Sequence, residues 1–299
     1  MLFNTHPPSD SNHCDNGYLD LGPPLTIYLY NGIPQFWRIW ETEMHQYNAG
    51  YQDTEWVLFT HVDEETFLRD FFNSPSKTIT RSWNAYDKNQ RLLLTRMPFT
   101  TPHEAAGRTF EYSLLKALQP MGLDTKLSTT GCATRYGKDG GKQPDGQYQP
   151  KRRPPGRTAD WPALVLEVAL SEPQSKLESD VRYWLRQSNG AVQVALTMKI
   201  NRRIPEITIE KWARNDEQRI GRPHREQRIT IRKDGKKRIE IRGGDLVIDF
   251  EKLFLRTPSI PREMDIRLGV EELQYIAFSI WQVQKFYNID DEEADEVGQ

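Results

Sequence analysis

The run Leu164-Val165-Leu166-Glu167-Val168-Ala169-Leu170 constrains this chain more than any other stretch. One charged residue among apolar neighbours leaves a strand no solvent face, so the segment belongs inside a sheet covered on both sides. A helix follows. Leu177, Val181, Trp184 and Leu185 form its apolar stripe, Ser171 and Pro173 suit its start, and Asn189-Gly190 stops it. A second apolar run over residues 192–200 reads as another central strand. Strand, helix and strand in that order predict a parallel crossover between residues 164 and 200.

Upstream, Thr100-Thr101-Pro102 opens a helix over 103–119, with Ala106, Phe110, Leu114 and Ala117 on one face and Pro120 and Gly122 at its end. Strands are expected near 123–129 and 143–149. A glycine-rich loop (Gly137, Gly140, Gly141) separates them, and a basic, proline-rich loop over 150–159 follows. The order helix–three strands–helix–strand predicts an α/β (α+β) fold, a mixed sheet flanked by helices. Downstream, residues 206–212 alternate. Arg228-Ile229-Thr230-Ile231-Arg232 faces Arg238-Ile239-Glu240-Ile241-Arg242 across Asp234-Gly235, a hairpin signal, and 246–250 is a further strand. Val270, Leu273, Ala277, Ile280 and Val283 mark a last amphipathic helix.

The expected organisation is therefore a loose leader over 1–24, decoration over 25–90, a core with a β-meander over 91–255, a C-terminal helix within 256–289 and an acidic disordered tail over 290–299. Within 25–90, residues 25–30 and 55–59 read as strands, and Asp63 opens a short helix running through Phe72.

Glu167 poses the chemical question. A buried, ionised carboxylate costs several kcal/mol unless it is paired or bound to a cation. Either Glu167 has such a partner, or it sits at the strand's end and reaches solvent or an arginine. Pro144-Asp145 puts a second acid on the strand expected beside it. Two carboxylates held close together share a proton or bind a divalent ion, and oxygen-only ligation suits Mg²⁺. The two cysteines, Cys14 and Cys132, have no zinc-ligand spacing around them, and no apolar run approaches the ~20 residues of a membrane span. The polar start is neither a signal nor a transit peptide, so a cytoplasmic or nuclear protein is expected. A net charge of -2 argues against wholesale binding to nucleic acid but leaves room for a local basic surface.

Pro144-Asp145, then Glu167 on an apolar strand about twenty residues later, in this order of elements, resembles the PD-(D/E)XK, or restriction-endonuclease-like, superfamily. More closely, the chain resembles uncharacterised fungal proteins of that fold. The segments RMPFTTPHEAAGRTFE, KQPDGQYQP and WPALVLEVALSEPQSKLESDVRYWL carry the likeness, which spans residues 82–200. The resemblance implies hydrolysis of nucleic-acid phosphodiesters with Mg²⁺ (or Mn²⁺) held by Asp145 and Glu167. Ala169 stands where the superfamily's usual lysine would lie, two residues after Glu167. Lys176 on the following helix is the implied substitute, or else a solvated surface lysine. Glu104 is the first choice and Glu111 the second for a further carboxylate from the first helix. Gln143 and Gln147 flank Asp145 and either assist at the metal or serve as plain strand residues. Lys151, Arg152, Arg153 and Arg157 suit phosphate contacts, or form an ordinary solvated loop. The hairpin arginines read better as a charged outer face that resists edge pairing. The rival readings are a non-catalytic nuclease-fold module that binds nucleic acid or protein, and an interaction protein that uses the core as scaffold.

Overall fold

A computed structural model describes residues 26–49, 51, 55–97, 100–170, 174–214, 223–233 and 239–287. The expected leader and tail, the capping Ser171 and Pro173, Cys14 and the Asp234-Gly235 turn lie outside these residues. In chain order the elements are β1 (Thr26–Leu29), α1 (Ile33–Asn48), β2 (Trp56–Thr60), α2 (Glu64–Phe67), α3 (Lys77–Ser82), β3 (Trp83–Asp87), β4 (Leu92–Arg96) and α4 (Thr101–Leu118). Next come β5 (Leu127–Thr129), β6 (Arg135–Gly137), β7 (Gly140–Lys142), β8 (Gly146–Pro150), β9 (Leu164–Leu170), α5 (Gln174–Gln187) and β10 (Val194–Ile200). The chain continues with β11 (Glu206–Arg214), β12 (Pro223–Arg232), β13 (Glu240–Arg242), β14 (Leu246–Ile248), α6 (Phe250–Phe254), β15 (Ile266–Leu268) and α7 (Val270–Val283).

The main sheet has the order β13-β12-β11-β10-β9-β8-β5. β9 and β10 pair in parallel, Leu164 opposite Val194, with α5 as their crossover, while β8 is antiparallel to β9. The sequence α4–β5–β8–β9–α5–β10 is thus the expected helix, three strands, helix, strand, and the fold is α/β with mixed sheets. Side chains alternate along β9 as its apolar run requires. Leu164, Leu166, Val168 and Leu170 pack with Phe110 and Leu114 of α4 and Ile276 and Ile280 of α7. Val165 packs on the opposite face with Val181, Trp184 and Leu185 of α5.

A second sheet, β1-β2-β4-β3-β7-β6, lies across α5 from the main sheet. Trp56, Leu58, Ala85 and Leu94 meet α5 from this side, while Val57, Phe59 and Leu93 face Phe36, Phe67 and Phe71 on the outside. Residues 25–90 are therefore one half of a layered body. The expected boundary at residue 90 falls in the turn joining β3 to β4, and β6–β7, from the expected core, complete this second sheet. Sequence patterning missed α1, whose buried side comprises only Phe36, Trp40 and Glu43.

The C-terminal helix occupies 270–283 of the expected 256–289, preceded by α6 and the β14–β15 pair. Leu273, Ala277 and Ile280 of the expected stripe are fully buried, with Ile276 and Trp281 beside them, while Val270 and Val283 at the two ends of the helix are exposed. In the β12–β13 hairpin Arg232 pairs with Glu240, while Ile229 and Ile231 point inward. Arg225 and Arg228 meet Glu210, Arg232 meets Glu206 and Arg242 meets Glu240, so this outer face is ion-paired. Among the described residues no helix is long and apolar enough to cross a membrane.

β10 lies between β9 and β11, and Leu196 at its centre is completely buried. Leu196→Ala should destabilise the chain by roughly 2–5 kcal/mol, the range for an unfilled core cavity. Urea unfolding checks this; a loss below about 1 kcal/mol would mean that the main sheet, α4 and α7 do not form one packed core.

Candidate functional site

Pro144 is the hinge between the two sheets. The Gln143 backbone N–H donates to Asn84 O on β3 (2.8 Å), and the Asp145 N–H donates to Leu166 O on β9 (3.1 Å). Proline between them has no N–H to place in either ladder, so the chain leaves one sheet and enters the other at this residue. Asp145 immediately precedes β8. Gly146 is opposite Leu166 and Gln147 opposite Val165, so continuing that register by one residue brings Asp145 beside Glu167.

Their carboxylates have separate partners. Asp145 accepts from Arg96 Nη1 (3.1 Å) and from the Val168 backbone N–H (2.7 Å), and His103 Nε2 lies 3.1 Å away. Burial opposes its charge, but His103, Arg96 and the Val168 N–H outweigh that and hold its pKa well below the usual carboxylate range. Glu167 accepts from the Trp184 indole N–H (2.5 Å), with Lys142 Nζ 3.4 Å away. Burial pushes its pKa up to about 7; Lys142 pulls it back, and Asp180 and Asp145 add to the rise. This carboxyl therefore holds its proton more readily than an exposed glutamate does.

Lys142 is the residue that sequence reasoning missed. It is completely buried at the end of β7, 3.0 Å from Asp180 and 3.1 Å from Asn84 Oδ1. Burial disfavours its charge, but Asp180 and Glu167 override burial and raise its pKa. Lys176 is also buried, 2.5 Å from Asp180 and 4.9 Å above the Trp56 ring, so it is not a solvated surface lysine. Its ion pair is with Asp180 rather than with either expected metal ligand. Arg96 bridges Asp145 and Glu55, and Arg202 lies 4.0 Å from Glu55. Arg96, His103 and Lys142 all fall in the segments that carry the superfamily resemblance. Of the three, only Lys142 lies close to Asp145 in the sequence.

This arrangement does not fit a resident divalent ion. Asp145, Glu167, Asp180 and Glu55 are matched by Arg96, Lys142, Lys176 and Arg202 before His103 is counted. Among the described residues no three His, Cys, Asp or Glu side chains are grouped to hold a metal. A dication at Asp145 would compete with Arg96 and His103 for the same carboxylate.

A cleft opens beside Asp145. A cavity of about 130 Å³ is lined by Asp145, His103, Glu104, Arg108 and Glu111, so both expected α4 acids border it. It adjoins a larger chamber of about 560 Å³ through Glu104, Arg108 and Cys132. Lys77 and Arg81 of α3 and Arg108 of α4 are exposed along this chamber. Lys77 and Arg81 have no carboxylate partner among the described residues, whereas Arg108 lies 4.0 Å from Glu104. Glu167 borders none of these spaces.

The expected basic loop is elsewhere. It joins the far ends of β8 and β9, and Lys151 is six residues along from Asp145, roughly 20 Å at strand rise. Lys151, Arg152 and Arg153 are exposed. Arg157 instead clamps the loop by donating to the carbonyls of Trp161, Pro162 and Ala191. Gln147 donates to Gly131 O and Ala133 O and accepts from Arg135, which fixes a neighbouring turn. Gln143 lines the chamber.

No family model matches this chain, and no curated protein sequence does. Among solved structures it is similar to a DUF820 protein from Anabaena variabilis whose nuclease assignment is itself provisional. Their identity is 14% and the TM-score 0.38, over 69% of this chain and 97% of that one. It is also similar to the type IIG restriction endonuclease BpuSI, at 15% identity and a TM-score of 0.29, over 64% of this chain but 17% of that enzyme. Neither overlap is high enough to assign roles to individual residues.

Glu167 supplies a test of the centre. A carboxyl that ionises near 4.5 when unfolded and about 7 when folded holds its proton more tightly in the native state. Its contribution to stability is complete below about 4.5 and is lost as pH rises to about 7. Measured against Glu167→Gln, the wild-type thermal midpoint should therefore fall from pH 5 to pH 7.5. A difference that grows in favour of wild type as pH rises would show Glu167 fully ionised against Lys142. Lys142→Met, which strands two buried carboxyls, should cost roughly 3–5 kcal/mol.

Proposed function

We propose that this chain binds the sugar–phosphate backbone of nucleic acid along the cleft beside Asp145. It does so on a restriction-endonuclease-like core whose carboxylate centre is neutralised by the chain's own cations and does not cut the strand. One observation carries this reading: the protein's cations saturate the buried acids, while Lys77 and Arg81 remain unpaired on the adjoining open surface. The order α4–β5–β8–β9–α5–β10, with Asp145 beside Glu167, supports the architecture. Exposed cations along a groove suit backbone phosphates, whose neutralisation releases counterions. Lys151, Arg152 and Arg153 offer a second patch for a ligand long enough to reach past β8.

A second reading keeps the nuclease activity, with Asp145 and Glu167 as ligands of Mg²⁺ or Mn²⁺. The adjacency of these acids favours it, together with Glu104 and Glu111 bordering the same cavity as Asp145. It sets the ion in competition with Arg96 and His103, which already contact Asp145.

Binding measured without metal at two salt concentrations, alongside cleavage assays with added Mg²⁺ or Mn²⁺ on DNA and RNA, separates the two. Affinity should fall steeply with salt. Arg81→Ala with Arg108→Ala should flatten the log–log slope by ~1 for each phosphate left without its cation, and Arg152→Glu with Arg153→Glu should weaken long ligands only. Metal-dependent cleavage that disappears in Glu167→Ala would overturn the binding-only reading in favour of the nuclease. Absence of affinity even in low salt, together with no cleavage in Mg²⁺ or Mn²⁺, would overturn both, leaving the interaction-protein alternative.

A further inference from the structure

Resting on the nucleic-acid reading, we infer that the 560 Å³ chamber between α3 and α4 is a pocket for one unpaired nucleotide, seating its phosphate at the rim and its base against the inner wall. Its size falls within the ~300–1,000 Å³ of small-molecule pockets. A stacked duplex covers each base with its neighbours and presents none to such a chamber, whereas an overhang or an extruded nucleotide does.

The wall changes character with depth. Lys77 and Arg81 come from α3 and Arg108 from α4, so cations approach the opening from both sides. Trp40 forms part of the inner wall. It is 8% exposed, and its indole N–H has no acceptor among the described residues. Gln143 is also buried, at 8% exposure, and its amide orientation is fixed because Nε2 donates to Thr80 O at 2.8 Å. No described donor meets its Oε1, so the pocket holds a fixed acceptor suited to an N–H on a base edge. An aromatic wall, a fixed acceptor and rim cations together match a nucleotide better than a bare phosphate, which would use only the rim. Trp40, Lys77, Thr78, Arg81 and Ser82 all belong to the N-terminal 25–90 region, which therefore supplies half of the pocket lining.

The test is a binding comparison with the full chain at fixed salt. The probes are a blunt duplex and the same duplex carrying one unpaired nucleotide with a terminal phosphate. The overhang should bind about tenfold more tightly, within what base–aromatic stacking supplies. Arg81→Ala with Arg108→Ala should weaken both probes. Gln143→Ala should reduce the overhang preference by several-fold while leaving blunt-duplex affinity unchanged, and Trp40→Phe should retain it. Equal affinity for the two probes, with the arginine effect intact, overturns the pocket and leaves backbone binding standing. An overhang preference untouched by Gln143→Ala also overturns the pocket. Failure of the folded protein to bind either probe overturns the nucleic-acid reading along with it.

Discussion

The ion pairs of Lys142 hold the two halves of this molecule in register. A lysine with no exposed surface is tolerated only where carboxylates surround it, and here Glu167 comes from the main sheet and Asp180 from α5. Lys142 itself stands on the second sheet, where Asn84 of the neighbouring strand receives its remaining donor. Three layers thus converge on one ammonium group. Such a centre contributes little net stability compared with apolar packing of the same shape, but it penalises any arrangement that separates its partners. The penalty fixes where β7 ends, and Pro144 then turns the chain so that Asp145 enters the main sheet beside Glu167.

The parts of the fold legible in the sequence were those governed by burial on two faces. The run around Glu167 and the run over 192–200 can only be central strands, and the stripe of Leu177, Val181 and Trp184 between them supplied the crossover. The second sheet was harder to read because its strands are contributed out of order. β6 and β7 are short and glycine-rich, and β7 pairs with β3 from far away in sequence, a choice no local pattern records. α1 escaped for a different reason. Trp37, Ile39 and Met44 are apolar but only partly buried, so its hydrophobic pattern does not resolve into a single narrow stripe.

For the site, the sequence indicated which acids lie together but not which bases answer them. Glu167 announced itself by sitting in an apolar run, and Asp145 by preceding the neighbouring strand. Arg96 and His103 were hidden because each reaches Asp145 through tertiary packing, Arg96 from the end of β4 and His103 from the first turn of α4. Lys176 was noticed for its distance from Glu167 along the chain, whereas the ion-pair geometry gives it to Asp180. The basic loop was conspicuous in composition, yet strand direction carries it to the far end of the β8–β9 pair. Composition locates charges in sequence; only topology locates them relative to one another.

The same distinction explains how a chain of net charge -2 keeps a local basic surface. At physiological ionic strength a charge is felt over about 8 Å, so the overall balance matters less than local pairing. On the outer face of the main sheet, Arg225, Arg228 and Arg232 are cancelled by Glu210 and Glu206. In the interior, Arg96, Lys142 and Lys176 are cancelled by Asp145, Glu167 and Asp180. Lys77 and Arg81 escape both cancellations, and they project along the chamber that Gln143 and Trp40 line. Neutralising the buried acids with internal cations also keeps their negative field from reaching the cleft. An ion-paired centre behind an unpaired rim is the electrostatic arrangement that the proposed phosphate binding calls for.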